Sequence, residues 1–296
     1  MGKLDTPQLF KMSEPMKSTS NSSSGSRLAG WLAGAGLACG ILSFGSSASA
    51  QIVTLTSGNS SSQIDLGSQT GMFNWIIDGV NVLNQQSFFF RTNPAGTGTS
   101  ISPYSSFTQP TASSVSATYI TPSFNITTVY NLVGQAAGSG TSDIAEQIKI
   151  QNNTAAPLPF NFFQFANFAG NGIVELGQNS HGFFNEAFIS GGGLVVTENL
   201  DTGISPGADK GQVGLAGAIL GDITGTPGFN PDNTDTTGPG AWVLEWQRTI
   251  GANSSLIISK DLNAVGVAPE PPAWSLVSMG LVALGALRHY RSRRGK

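Results

Sequence analysis

Cysteine is almost absent: the 296 residues contain one, Cys39, and only two histidines, His181 and His289. A body without cysteine has no disulfide framework, and one histidine in it cannot build a zinc site or a histidine-based triad without distant carboxylates. Positive charge is scarce too. Between Gln51 and Ala268 the bases are Arg91, Lys149, Lys210, Arg248 and Lys260; these five against fourteen acidic residues leave minus nine. A surface of that sign repels phosphate backbones, so nucleic acid is excluded as a partner. Long apolar runs are missing from the middle and occur only near the two ends.

The first run, Leu28 to Phe44, follows Arg27 and is rich in Ala, Gly and Leu. Ser46, Ser47, Ala48, Ser49 and Ala50 come next, with small residues at both positions of an A-x-A pattern. Charge, apolar run and small-residue exit in that order predict a secretory signal peptide over residues 1–50, cut between Ala50 and Gln51. A plain transmembrane anchor is the alternative, but the run is broken by glycines and ends in the cleavage pattern. A long polar stretch precedes the run, which makes Met12 and Met16 candidate starts beside Met1. Cys39 is not read as a lipoprotein acceptor, because Gly36 stands three positions before it and the apolar run continues past it.

At the other end, Pro269, Glu270 and Pro271 precede a 15-residue apolar segment, Ala273 to Leu287, and then a basic tail with Arg288, Arg291, Arg293, Arg294 and Lys296. A helix of that length rises about 22 Å, short of the roughly 30 Å hydrocarbon core, and arginines reaching to the headgroups extend its span. The positive tail predicts a cytoplasmic end and an external body. Proline keeps Pro269 to Pro272 extended and open to a protease, with a permanent single-pass anchor as the alternative. Residues 267–296 taken together resemble the PEP-CTERM sorting domain of Gram-negative bacteria. The resemblance implies that an exosortase recognises Pro269, Glu270 and Pro271 and removes the helix and the arginine-rich membrane stop. It also implies an association with exopolysaccharide and biofilm. The stretch Asn74 to Arg91 is similar to the opening strands of other PEP-CTERM ectodomains.

Between the ends, residues 51–266 alternate with period two. Phe124, Ile126, Thr128, Tyr130 and Leu132 share a face; so do Ile144, Ile148 and Ile150, with Glu146 landing on that apolar side and breaking the pattern. Trp242, Leu244 and Trp246 alternate with Glu245 and Gln247, and Leu256 to Ser259 forms a short β-branched run. Turn formers separate the runs, at Asn93-Pro94, Gly138 to Gly140, Asn152-Asn153 and Gly191 to Gly193. These signals predict one all-β domain, a sandwich rather than a closed barrel. The glycines in Gln212 to Leu220 argue against a helix there, and Asp201 to Gly240 reads as a long surface excursion.

No catalytic set stands out. His181 sits in a Ser-His-Gly turn. Glu175, Glu186, Glu198 and Glu245 would support glycoside hydrolysis only if two of them met in a cleft. Asp232, Asn233 and Asp235 offer calcium-type oxygens but lack the spacing of a known loop, so they read as a solvated turn. The aromatics Phe88 to Phe90, Phe160 to Phe168, Trp75, Trp242 and Trp246 read as core before sugar platform. No cofactor and no metal are expected, and the chain is not expected to be an enzyme. The expected role is an exported, transiently membrane-anchored protein of the cell surface or extracellular matrix, handled by signal peptidase and an exosortase, structural or adhesive, and associated with extracellular polysaccharide. A carbohydrate-binding module is the alternative and a glycan-acting hydrolase the third reading.

Overall fold

The computed structural model describes residues 51–170, 172–200 and 207–266, together with residues 281, 282 and 284. The signal-peptide residues Ala48 and Ala50, the motif Pro269, Glu270 and Pro271, and the arginines Arg288, Arg291, Arg293 and Arg294 lie outside the described residues. Among the described residues, no helix is long and apolar enough to cross a membrane.

The body is two antiparallel sheets packed face to face, as the alternation predicts. The first sheet runs β1 (Ile52–Ser57), β2 (Ser60–Asp65), β3 (Gly71–Ile77), β4 (Val80–Arg91), β10 (Leu158–Phe168), β16 (Ala241–Ile250) and β14 (Lys210–Gly214), with β5 (Thr99–Ser100) on β4. The second runs β15 (Thr237–Pro239), β11 (Ile173–Gln178), β12 (Phe184–Gly191), β13 (Leu194–Asn199), β17 (Ser255–Val265), β9 (Ser142–Asn152), β8 (Phe124–Gly134), β7 (Ser114–Ile120) and β6 (Ser106–Thr111). In β8 the predicted face, Phe124 to Leu132 at every second residue, is buried against the first sheet.

Trp75, Trp242 and Trp246 are fully buried, and the Trp75 indole N–H donates to Ser60 Oγ and Ser142 Oγ, tying the sheets together. The β3–β4 turn is Asp78-Gly79 with φ of 48° and 84°, the two left-handed residues a tight hairpin needs. Asp78 accepts from Asn59 Nδ2 and from the backbone N–H groups of Gly138 and Gly140, which hold its carboxyl below the usual range. The β1–β2, β3–β4, β8–β9 and β12–β13 turns thus gather at one end of the sandwich, and the chain leaves β17 at that same end.

The stretch read as a surface excursion is partly structured. It contains β14 and one helix, α1 (Ala216–Gly225), which starts four residues later than the doubtful segment. Ile219 and Ile223, four apart, drop onto Phe89, Phe163, Phe165 and Val243 on the outer face of the first sheet. Each buried isoleucine contributes about 1.5–3 kcal/mol, which outweighs about 1 kcal/mol for each interior glycine. Tertiary burial, not propensity, forms this helix. It also explains the unbroken phenylalanine runs: β4 and β10 are covered on both faces, by the second sheet and by α1.

Candidate functional site

Two polar constellations stand out. The first lies between the sheets. Glu146 on β9 pairs in register with Tyr130 on β8 and Lys260 on β17, so three polar side chains stand in a row on the inner face. Lys260 Nζ lies 2.8 Å from Glu146 Oε2 and 3.3 Å from Glu198 Oε1 of β13. From the opposite sheet, Gln164 Nε2 donates to both Glu198 oxygens at 2.6 and 2.7 Å. The Gln86 amide, oriented to satisfy both ends, donates to Glu146 Oε1 at 2.7 Å and accepts from Lys260 at 2.6 Å. Lys260 also sits 5.4 Å above the Phe88 ring.

Glu146, Glu198 and Lys260 are all buried, and two carboxylates face one ammonium. Burial pushes Glu146 up to about 7; Lys260 pulls it down and the Glu198 charge pushes it further up. Burial likewise raises the neighbouring Tyr104 and Tyr130 hydroxyls. Glu146, the residue that broke the apolar face of its strand, is therefore the anchor of a buried ionic cluster. Its partners Lys260 and Glu198 carried the same signal, a charge at an inward position of an alternating strand. Gln86 and Gln164 carried none, because they emerge from runs where both faces are buried.

The second constellation is on the outer face of the first sheet. Arg91 at the end of β4 and Asn161 on β10 are register partners, and both reach Glu245 on β16. Arg91 Nη2 donates to Glu245 Oε1 at 3.0 Å and Asn161 Nδ2 at 2.6 Å, while Arg91 Nη1 caps the Phe229 carbonyl at 2.6 Å. Burial raises the Glu245 carboxyl above its usual range, opposed by the Asn161 hydrogen bond and the Arg91 charge. Arg91 and Asn161 form one wall of a cleft of about 430 Å³ whose other polar lining is Asn230, Gln247, Arg248 and Thr249, with Pro94 and Pro159 as apolar walls. Gln247 donates to Asn230 Oδ1, and Arg248 is held by Asp209 and the Gly207 carbonyl. The cleft opens at the end of the sandwich opposite the one where β17 lets the chain out.

The other candidates stay apart. His181 is exposed in its turn, and its backbone N–H donates to Asn179 Oδ1. Asp232 Oδ1 is taken by the Thr234 N–H and hydroxyl and Asn233 Oδ1 by the Gly211 N–H, so these oxygens close a turn. Among the described residues, no group of acids, histidines or cysteines is arranged to hold a metal. Glu175 and Glu186 point outward from β11 and β12. Gln51 opens the described body, its carbonyl accepting from the Leu66 N–H.

No protein-family model and no curated protein matches this chain. Solved structures resemble it at low identity and with TM-scores below 0.5. A putative aldose 1-epimerase from Escherichia coli has a TM-score of 0.47 at 11% identity, covering 72% of this chain and 98% of its own. The Slr1438 protein from Synechocystis sp. has 0.47 at 8%, with 73% and 96% covered. A galactose mutarotase-like protein from Lactobacillus casei has 0.42 at 8%, with 72% and 100% covered. Scores below 0.5 carry no substrate or reaction across. The expectation that the chain is not an enzyme is withdrawn, because an epimerase and a mutarotase-like protein stand among these structures, and no activity of this chain follows from them. Of the four glutamates read from the sequence no two meet: Glu175 and Glu186 point outward, Glu198 lies in the buried cluster between the sheets, and Glu245 lies on the outer face beneath the cleft.

Proposed function

We propose that this chain is an exported protein of the bacterial envelope or extracellular matrix, sorted through its Pro269-Glu270-Pro271 tail, whose sandwich adheres to exopolysaccharide through the cleft beside Arg91 and Arg248. The observation that carries the reading is the cleft itself. Its lining is dense in amide, guanidinium and hydroxyl groups, which match a polyhydroxylated ligand. Trp75, Trp242 and Trp246 and the phenylalanines of the two runs are buried, so among the described residues these rings offer no platform for sugar stacking. Binding by hydrogen bonds alone is weak per site, which suits an adhesive that works through many copies on a long polymer. The test is retention of the full chain on the exopolysaccharide of its own cells. Asn230→Ala together with Gln247→Ala, both exposed, should abolish retention; undiminished retention would move the site elsewhere.

A second reading, glycan-directed catalysis, is favoured by Glu245 alone. It is a carboxyl raised in pKa, one side chain beneath the cleft, and its Oε2 lacks a hydrogen-bond partner. Glu245→Gln preserves the shape, so loss of any turnover of the bound polysaccharide in that variant, with retention intact, would support it. No turnover by the unaltered chain would remove it.

A further inference from the structure

The exposed aliphatic side chains are distributed unevenly over the sandwich. Among the described residues of the body, the large ones are Ile52, Val80, Ile120, Val133, Ile173, Leu215, Ile257 and Val265. Register places Val80, Val133, Ile173, Leu215 and Val265 at the end where β17 finishes, and each is between 42% and 69% exposed. Ile173 and Val265 lie in one row of the second sheet, linked through Ser190 and Val195.

Charge is distributed the opposite way. The turns of that end, residues 57–60, 77–80, 134–142, 168–173, 191–194, 214–216 and 239–241, contain a single ionisable residue, Asp78. Its carboxylate is already filled by Asn59 and two glycine N–H groups. The opposite end carries Asp65, Arg91, Asp209, Lys210, Asp232 and Arg248. A glycine-rich cap with five exposed aliphatics, and charge only at its margin in Asp143 beside Val133 and Glu175 two residues from Ile173, costs less to bring against headgroups and acyl chains than the charged end.

The chain beyond the body supplies the occupant. From Gly266 only seven residues lead to Ala273, the first of the apolar tail segment. Seven extended residues reach at most about 25 Å, so a tail entering a bilayer holds this end, and not the other, near the surface. We propose that the charge-poor end, through Val80, Val133, Ile173, Leu215 and Val265, rests on the lipid surface while the tail is in place. It orients the glycan cleft outward. The inference rests on the tail-insertion part of the proposed function.

The test uses the full chain with Cys39→Ser, reconstituted in phosphatidylcholine vesicles that carry a headgroup quencher. Single cysteines bearing a fluorophore are placed by Val133→Cys or Leu215→Cys, and for comparison by Ile120→Cys or Ile257→Cys. Quenching at the first pair and not at the second is expected, with loss of quenching at position 215 when Ile173→Asn and Val265→Asn are added. Equal quenching at both ends, or quenching that survives the asparagine pair, overturns the lipid contact while leaving tail insertion intact. Shielding of position 215 from a soluble quencher without lipid quenching overturns it in favour of a second copy or another protein. Failure of the chain to float with the vesicles sinks the tail reading itself, and this inference with it.

Discussion

Substituting Glu146 by glutamine probes the buried ionic cluster through its titration. The carboxyl ionises at about 4.5 in the unfolded chain and at about 7 in the fold. A group whose pKa is raised by folding contributes fully below its unfolded pKa, and that contribution is lost as pH rises through the folded pKa. In the window from about 4.5 to 7 the unfolded chain has released this proton and the native state has not, so stability falls with rising pH. A shift of 2.5 units at 1.36 kcal/mol per unit gives about 3 kcal/mol, of which about 2–3 kcal/mol falls between pH 5 and pH 8. Glu146→Gln removes the proton while keeping an amide that meets Gln86 and Lys260. Urea unfolding of both proteins at several pH values across that range isolates the effect, since the other titrating groups cancel in the difference. The gap between them should shift by about 2–3 kcal/mol in favour of the variant toward pH 8. Parallel pH dependences would refute the raised carboxyl and with it the reading of the cluster as short of positive charge.

Lys260→Met leaves Glu146 and Glu198 buried without their cation and should cost about 3–5 kcal/mol, read as a lowered urea midpoint at pH 8; a cost below about 1 kcal/mol would mean water reaches the cluster. Gly134→Ala drives a methyl into the Ser57 carbonyl oxygen, backbone against backbone where the sheets meet, and should destabilise by more than the roughly 1 kcal/mol of an ordinary substitution, read as a lowered thermal midpoint. An unchanged midpoint would show that this corner opens freely.

Much of the fold was legible because burial on one face writes itself into the sequence. The rows in β8 and β9 show period two, and the turn residues between them mark the ends. Legibility failed where both faces are covered. Glu245 and Gln247 alternate with Trp242, Leu244 and Trp246 as if solvent-facing, yet Glu245 is fully buried because Arg91, Asn161 and the 226–236 segment close over it. The helix α1 was hidden by its glycines, because the isoleucines that hold it act across about 20 to 134 residues of chain. The short β-branched run Leu256 to Ser259 stops before Lys260 in the sequence. In the fold Lys260 turns inward to two carboxylates, and β17 continues to Val265. Half of the site signal was present in Glu146 as an exception to a pattern. The other half lay in the partners that long-range pairing brought to it.

The most direct test of the account is the intact mass and terminal peptide map of the protein recovered from its own cells and medium. The account predicts a chain in the medium or at the cell surface that begins at Gln51 and ends within or just before Pro269 to Pro272. A chain that keeps its leader, or that ends at Lys296 in the membrane fraction at all stages of growth, would contradict it.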